Sequence, residues 1–599
     1  MASLSASAAR DDADGPLGRP AAAAGGSRGA LTAIGAPVAL AAALAAIYLL
    51  WSPPSLDLAA AEYRSWLFGR EGFALWDLQW YAGHHMPGYS VLLPPLGWLL
   101  GPRPLGALCA VAAAALFALL ARRRFGDAAL PGALWFAAGT ATVLLSGRIT
   151  FALGLAPALA ALLALACGRR LLAPLLAVAT ALASPVAAVF LAMAGAAHAL
   201  ADPWPASRRD RPSRDDAAAG AAPRDPSAGA APDAPAASAA GAGRLRALAS
   251  RRRVDGLALA AAAVVPVGLL SLAFPEGGVE PFVLSSYWPV PASVAALLLL
   301  FPREQRTLRI GALLYLLGCT AAFALDTPVG GNAARLGALC AGPLFALVLW
   351  RRRPLALALL ALPLLYWQWT AAIHDVRVTH GDPSVERAFY APLLAQLERR
   401  GADPADGRLE IPFTKLHWES RWVAPRYPLA RGWERQLDHK VNPVFYAGEL
   451  TPARYAAWLR RSAVRWVALP DTRLDYSARR EGALVAAGLP FLREVWRDGD
   501  WRLFEVRDPA PLAAGAGARV TRATSDGVTL SVARPGTVRL RMHWTPYWQV
   551  EAGDACVAPA PAPGGEDQTQ LRVRRAGEVR LGIAFALGRV GAASARCTG

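Results

Sequence analysis

The sequence has few charged side chains, almost no lysine and no motif for binding nucleotide phosphates. Of its 599 residues, 18% are charged and 55% are hydrophobic, whereas about a quarter of the residues in a soluble protein are charged. This balance excludes an ordinary cytosolic enzyme. The sequence contains neither a Gly-x-x-x-x-Gly-Lys loop nor a glycine-rich turn between a strand and a helix. ATP-driven transport by this chain alone is therefore not expected.

Long apolar segments rich in alanine and leucine follow one another through the first part of the chain. A membrane-spanning helix needs roughly 20 mostly apolar residues. The sequence therefore predicts an α-helical polytopic membrane domain over 31–372, with a long outer loop at 52–103. The predicted spans are 31–51, 104–121, 128–146, 150–167, 171–183, 185–201, 254–274, 288–302, 308–325, 333–350 and 354–372, which makes eleven.

The positive charge follows the membrane topology. Lys415 and Lys440 are the only lysines, so arginine carries the net charge of +18. The apolar run 171–201, which a Ser-Pro pair interrupts, could cross the membrane once or twice. Only two crossings place the arginine-rich stretch 202–253 on the same side as the other arginine-rich loops, as the positive-inside rule requires. We therefore predict an N-terminus inside, a C-terminus outside and no nucleic-acid partner.

The remaining segments divide by composition. Residues 1–30 and the Ala/Pro/Asp/Arg/Gly-rich stretch 205–250 have almost no large apolar side chains, and we expect both to be disordered on the cytoplasmic side. Beyond the last span the sequence becomes polar and rich in tryptophan. Alternating helical and strand patterns predict an extracytoplasmic α/β domain over 376–510. Period-two alternation of apolar residues predicts an extracytoplasmic β-sandwich over 516–599.

The cysteines agree with this division. Four of the six lie inside predicted spans, where a thiol acts as a small apolar side chain. Cys556 and Cys597 both lie in the predicted β-sandwich, in an oxidising compartment, so we predict a disulfide between them. The sequence shows no CxxC pair and no zinc-ligand spacing. It predicts no metal ligands, and the cofactor, including any divalent metal, stays unknown.

The outer loop 52–103 gathers acids, histidines and aromatic side chains beside the apolar helices. Carboxylates and aromatic rings together form a common sugar-handling set, so we expect the chemistry of the protein in this loop. Asp77 is one candidate for a catalytic acid. The tryptophans have an alternative role as core residues or as anchors at the bilayer interface. The candidates for contact with the substrate are Tyr63, Trp80, His84, His85 and Tyr89.

The sequence resembles the integral-membrane glycosyltransferases of the GT-C fold. It has a long outer loop directly after the first span and a soluble region after the last. More narrowly, the stretches Gly147–Phe151, Ser184–Ala187 and Asn332–Leu336 are similar to a set of poorly characterised bacterial GT-C-like membrane proteins. The resemblance implies a multi-pass protein of the bacterial plasma membrane. It also implies transfer of a sugar from a polyprenyl-phosphate carrier to a cell-envelope glycan or lipid acceptor at the outer face of the bilayer.

The resemblance further implies that Asp57, six residues past the first span, is the catalytic acid. Many members have two adjacent acids at this place, whereas the nearest acid to Asp57 is Glu62. A carboxylate is suited to accept the proton of the attacking acceptor hydroxyl. Arg148 and Arg335 lie at predicted outer ends of spans, where arginine is costly, and guanidinium groups match phosphate. Both are candidates for phosphate binding, and Asn332 joins them as a candidate for substrate binding.

Each of these interpretations has an alternative. Asp57 could cap the helix that opens the outer loop, and the two arginines could extend to the lipid headgroups. The whole chain could instead be a transporter or flippase of a lipid-linked glycan, which would place ionisable residues near the bilayer midplane. It could also be a non-catalytic envelope scaffold with an exported binding domain.

Overall fold

A computed structural model describes residues 27–201, 235–562 and 566–592. Most of the predicted N-terminal segment 1–30, the predicted linker 205–250 up to residue 234, and Cys597 lie outside the described residues. The described part of the chain up to residue 379 forms these α-helices: α1 Ser27–Trp51, α2 Leu58–Glu71, α3 Leu93–Leu100, α4 Pro102–Phe125, α5 Leu130–Leu145, α6 Ile149–Ala166, α7 Leu172–Ala183, α8 Pro185–Leu200, α9 Pro235–Ala273, α10 Leu284–Tyr287, α11 Pro289–Leu300, α12 Arg306–Ala324, α13 Arg335–Leu349 and α14 Pro354–Thr379.

A helix lies at each place where the sequence predicts a span, but not all of these helices are long. The shorter apolar helices are α7, α8 and the segment Leu284–Leu300. Within the described residues, seven helical segments are long and apolar enough to cross a membrane: Ala33–Trp51, Pro102–Leu145, which contains both α4 and α5, Ile149–Ala166, Arg251–Ala273, Arg306–Ala324, Gly330–Leu349 and Pro354–Thr379. The chain is therefore a polytopic membrane protein.

Two helices extend beyond the boundaries expected from the sequence. Helix α14 continues to Thr379, seven residues past the predicted end of the last span at 372. Polar side chains end the apolar run there, but the next helix-breaking residue is Gly381, at φ +69°. Helix α9 begins at Pro235, inside the segment 205–250 that we expected to be disordered. Alanine-rich sequence has high helix propensity even where it cannot form a core.

The C-terminal region, residues 380–592, combines helices with β-sheets. Its α-helices are α15 Arg387–Arg399, α16 Glu419–Trp422, α17 Arg435–Val441, α18 Pro452–Arg461 and α19 Arg479–Ala487. The strands of the chain, of which the first two lie in the loop 52–103, are β1 Trp76–Asp77, β2 His84–His85, β3 Arg408–Glu410, β4 Val464–Pro470, β5 Leu492–Asp498, β6 Trp501–Val506, β7 Ala513–Ala514, β8 Ala518–Ala523, β9 Val528–Val532, β10 Gly536–His543, β11 Trp548–Ala552, β12 Ala555–Ala560, β13 Gln568–Val573 and β14 Gly577–Ile583.

Strands β3 to β14 form one mixed sheet and two antiparallel sheets, and β1 and β2 pair with each other as a separate antiparallel sheet. The mixed sheet has the order β3-β4-β6-β5, in which β3 and β4 are parallel and the other pairs are antiparallel. The antiparallel sheets have the orders β12-β13-β10-β7 and β11-β14-β9-β8. Alternate residues of these strands, including Leu530, Leu540, Leu571 and Leu581, share one buried apolar core. A second core joins the loop 52–103 to the C-terminal region, so the two are packed as one body beside the membrane helices.

Candidate functional site

Asp57 lies in a short turn between the first membrane helix and helix α2. Pro53 and Pro54 follow one residue after the end of α1 and cannot continue it. Asp57 occupies the N-cap position of α2, but its backbone is already helical, at φ −71° and ψ −16°, and its side chain makes no capping hydrogen bond. The Asp57 carboxylate therefore does not cap α2, which was the alternative considered from the sequence.

Two arginines from distant helices meet the Asp57 carboxylate. The Nη2 atom of Arg335 lies 3.5 Å from Oδ2 of Asp57, and Nε of Arg148 lies 3.9 Å from the same oxygen. Asp57 and Arg335 are each 20% exposed, and Arg148 is 27% exposed. Both distances exceed those of typical hydrogen bonds. The two arginines therefore attract the carboxylate by charge, without a directional hydrogen bond to its oxygens. The structure thus brings together the three residues that the sequence suggested for acid and phosphate chemistry.

The turn between α5 and α6 places Arg148 against the Asp57 turn. Gly147 has φ +68°, a conformation that favours glycine. A Cβ atom at this position would lie 2.8 Å from the backbone nitrogen of Leu58 and would also strike the Ser55 hydroxyl. The absence of a side chain at Gly147 therefore allows the two turns to touch, and Arg148 follows at the start of α6.

The C-terminal region holds the same turn from the other side. The indole Nε1 of Trp418 donates to the carbonyl of Ser55 at 3.2 Å, and that of Trp433 donates to the carbonyl of Leu56 at 2.9 Å. These carbonyls belong to the two residues before Asp57. The sequence shows only that the region after the last span is rich in tryptophan and did not reveal this role, because an indole gives no sign of which distant carbonyl it will meet.

Three further groups surround the site. Glu280 interacts electrostatically with Arg335 and Asp57, and burial raises the pKa of this carboxyl above its usual range. Asp375, in the part of α14 beyond the predicted span, interacts with Arg148 and Asp57. The Tyr89 hydroxyl lies beside Thr150 and is also within electrostatic range of Asp57. Sequence reasoning missed Glu280 and Asp375. An acid at the end of an apolar helix is a signal that could have identified Asp375.

The second candidate acid is placed differently. Asp77 is 0% exposed, and its carboxylate accepts hydrogen bonds from the Tyr63 hydroxyl at 2.9 Å and from the Gln79 backbone N–H at 2.9 Å. Burial raises the pKa of Asp77 to about 7, although these hydrogen bonds oppose the shift. The structure therefore surrounds Asp77 with protein groups, whereas Asp57 is partly open.

The aromatic and histidine candidates of the loop 52–103 are mostly buried as well. Trp80 stacks on Tyr63, with ring centroids 4.4 Å apart, and His84 stacks on the Trp80 ring. His85 pairs with Glu276 at 3.1 Å and contacts the Thr545 hydroxyl at 3.1 Å. These side chains build the contact between the loop and the C-terminal region, so they do not present an open sugar platform. Their apolar ring faces favour burial over exposure to water.

The remaining predictions concern Asn332, the disulfide and the metal ligands. Asn332 lies three residues before Arg335, in the short 3-10 turn that leads into α13, and is partly buried. Cys556 is disulfide-bonded, while its predicted partner lies outside the described residues. Across the described residues, no group of three or more His, Cys, Asp or Glu side chains is arranged to hold a metal ion.

No family model matches the sequence, and no curated protein matches it. The chain is similar to two solved glycosyltransferase structures. One is the cryo-EM structure of the arabinofuranosyltransferase AftD from Mycobacteria, at 13% identity and a TM-score of 0.43, over 93% of this chain and 57% of that chain. The other is the crystal structure of the Archaeoglobus fulgidus oligosaccharyltransferase in the apo form, at 12% identity and a TM-score of 0.41, over 73% of this chain and 69% of that chain.

The chain spans little more than half the length of the arabinofuranosyltransferase. At these identities and TM-scores, the likeness says nothing about the donor, the acceptor or the site residues of this chain.

Proposed function

We propose that the chain is a membrane glycosyltransferase that moves a sugar from a polyprenyl-phosphate donor to a glycan or lipid acceptor of the cell envelope. The observation that carries this proposal is the contact of one partly open carboxylate, Asp57, with two arginines at the ends of membrane helices. A carboxylate can accept a proton and two guanidinium groups can hold a phosphate. Glycosyl transfer from a lipid phosphate needs both.

The proposed step is a single displacement at the anomeric carbon. The acceptor hydroxyl oxygen attacks that carbon, the bond from the carbon to the phosphate oxygen breaks, and the hydroxyl proton passes to the Asp57 carboxylate. The electron pair of the broken bond leaves with the lipid phosphate. Arg148 and Arg335 stabilise that anion where its charge develops. Since the carboxylate is held by charge alone, an arriving phosphate can take over the guanidinium donors without breaking a directional hydrogen bond.

We also propose eleven crossings, an N-terminus inside and a C-terminal region outside. Arginine triplets support this arrangement: 122–124 end α4 and 351–353 follow α13. Arg148 follows α5, the helix after the first triplet, and Arg335 begins α13, so each lies about one helix length from a triplet. Accessibility labelling should find 205–250 inside and 376–599 outside. Labelling of both segments from one side would overturn the arrangement.

A transfer assay tests the function directly. The full chain would be reconstituted in vesicles with a panel of radiolabelled polyprenyl-phosphate sugars and a cell-envelope extract as the acceptor. We expect a covalent product and a matching release of polyprenyl phosphate. Movement of the intact labelled lipid between leaflets without product would favour the transporter, and neither product nor movement would favour the scaffold.

A further inference from the structure

A second pair of arginines shares one carboxylate on α2, the helix that follows Asp57. The Nη1 atom of Arg103 donates to Oε1 of Glu62 at 2.9 Å, and Nε of Arg421 lies 3.6 Å from Oε2 of Glu62. Arg103 is the second residue of α4, Glu62 is the fifth residue of α2, and Arg421 belongs to α16 in the C-terminal region. Helices from the membrane part and the C-terminal region therefore converge at this carboxylate.

The charges in this cluster are unbalanced. A third cation, Arg387, lies within electrostatic range of Arg421 and is exposed. Two positive charges, those of Arg103 and Arg421, thus face the one carboxylate of Glu62, and the third lies beside Arg421. The Nε atoms of Arg103 and Arg421 are both buried, and in the described part of the chain neither has a hydrogen-bond partner. Because an unpaired guanidinium N–H is costly to bury, the cluster is suited to an additional anion.

The surroundings of the cluster are those of a lipid boundary. Arg103 comes directly after α3 and the turn that ends it, and Leu99 and Leu100 at the end of α3 are exposed apolar residues. The Arg103 guanidinium also interacts with Tyr48, in the last turns of α1, where Leu50 and Trp51 are exposed. Apolar side chains exposed at the ends of membrane helices contact acyl chains and headgroups. An anion at Arg103 would therefore carry its apolar tail along these residues.

We propose that Arg103 and Arg421 bind the phosphodiester headgroup of an anionic phospholipid, in the leaflet on which the C-terminal region lies. This site is separate from the one formed by Asp57, Arg148 and Arg335, and it does not depend on the transferase activity. The bound lipid would join the C-terminal region to the membrane part at Arg421. Glu62 limits its affinity, because its carboxylate competes with the phosphate for the same two guanidinium groups.

Thermal unfolding of the full, delipidated chain in detergent tests this proposal. Short-chain phosphatidylglycerol should raise the Tm of the wild type more than phosphatidylcholine does, and inorganic phosphate should leave the Tm unchanged. The double variant Arg103→Gln and Arg421→Gln should lose the response to phosphatidylglycerol. The matched control is Arg70→Gln, which removes an exposed arginine from α2, the helix that carries Glu62, and should keep the response.

Glu62→Gln separates a lipid site from a merely structural bridge. If the arginines bind lipid, removal of the competing carboxylate should increase the Tm shift at a given phosphatidylglycerol concentration, even where the Tm without lipid is lower. A bridge without a lipid role would lower the Tm and leave the lipid shift unchanged, which would overturn the proposal. An equal shift with inorganic phosphate would also overturn it, because the anion would then not be a lipid. If the double variant does not fold, the Glu62→Gln result decides alone.

Discussion

Replacement of Asp57 by asparagine is the sharpest test of the proposed chemistry. The change keeps the size of the side chain and removes its ability to accept a proton. General-base catalysis contributes roughly 10²–10⁴-fold to rates, which corresponds to about 2.7–5.4 kcal/mol of activation free energy. We therefore expect kcat to fall by that factor.

The structure also predicts the sign of the effect on donor binding. Asp57 partly neutralises Arg335 and Arg148 at 3.5 Å and 3.9 Å. Loss of its charge leaves both guanidinium groups more attractive to phosphate, so the donor KM should stay the same or fall. A merely structural role would instead lower the folded fraction without separating kcat from KM.

The assay is single-turnover and steady-state transfer with the purified full chain in vesicles, together with its Tm. Asp526→Asn, the same change at an exposed acid in the C-terminal region, is the matched control and should behave as the wild type. Full activity of Asp57→Asn would refute the reasoning. If Asp77→Asn alone abolished transfer, the wrong acid would have been chosen while the transferase class survived.

Three further results are expected. Arg335→Ala should raise the donor KM by roughly 10–100-fold through loss of a charged hydrogen bond, measured by donor titration, with Arg335→Lys recovering part of the loss; an unchanged KM would contradict phosphate binding. Burial raises the pKa of Asp77 from 3.8 to about 7, so the folded state holds the extra proton and the unfolding free energy should fall as pH rises from about 4 to about 7. Asp77→Asn should flatten this slope in a pH series of thermal unfolding, and parallel slopes would count against the shift. Cys556 should pair with Cys597 and stabilise the fold by roughly 3–4 kcal/mol, tested by alkylation before and after reduction; full labelling of both thiols in the unreduced folded protein would exclude the pair.

The local features of this fold can be predicted from the sequence. A helix occurs wherever the sequence has a long apolar run, because a backbone in lipid must satisfy its hydrogen bonds within the segment. The strands β9, β10 and β14 follow the period-two pattern, since alternate side chains of a strand face the same core. The placement of Arg148 and Arg335 at helix ends, where arginine is costly, also marked them from the sequence alone.

Only the tertiary structure shows which of the marked residues meet. Asp57, Arg148 and Arg335 come from three separate elements, and local pattern carries no information about contacts over such separations. The hydrogen bonds from Trp418 and Trp433 to the Asp57 turn are equally non-local. The difference between Asp57 and Asp77 is likewise one of packing: both acids lie in the same loop, but the C-terminal region covers the strands that carry Asp77 and leaves Asp57 partly exposed.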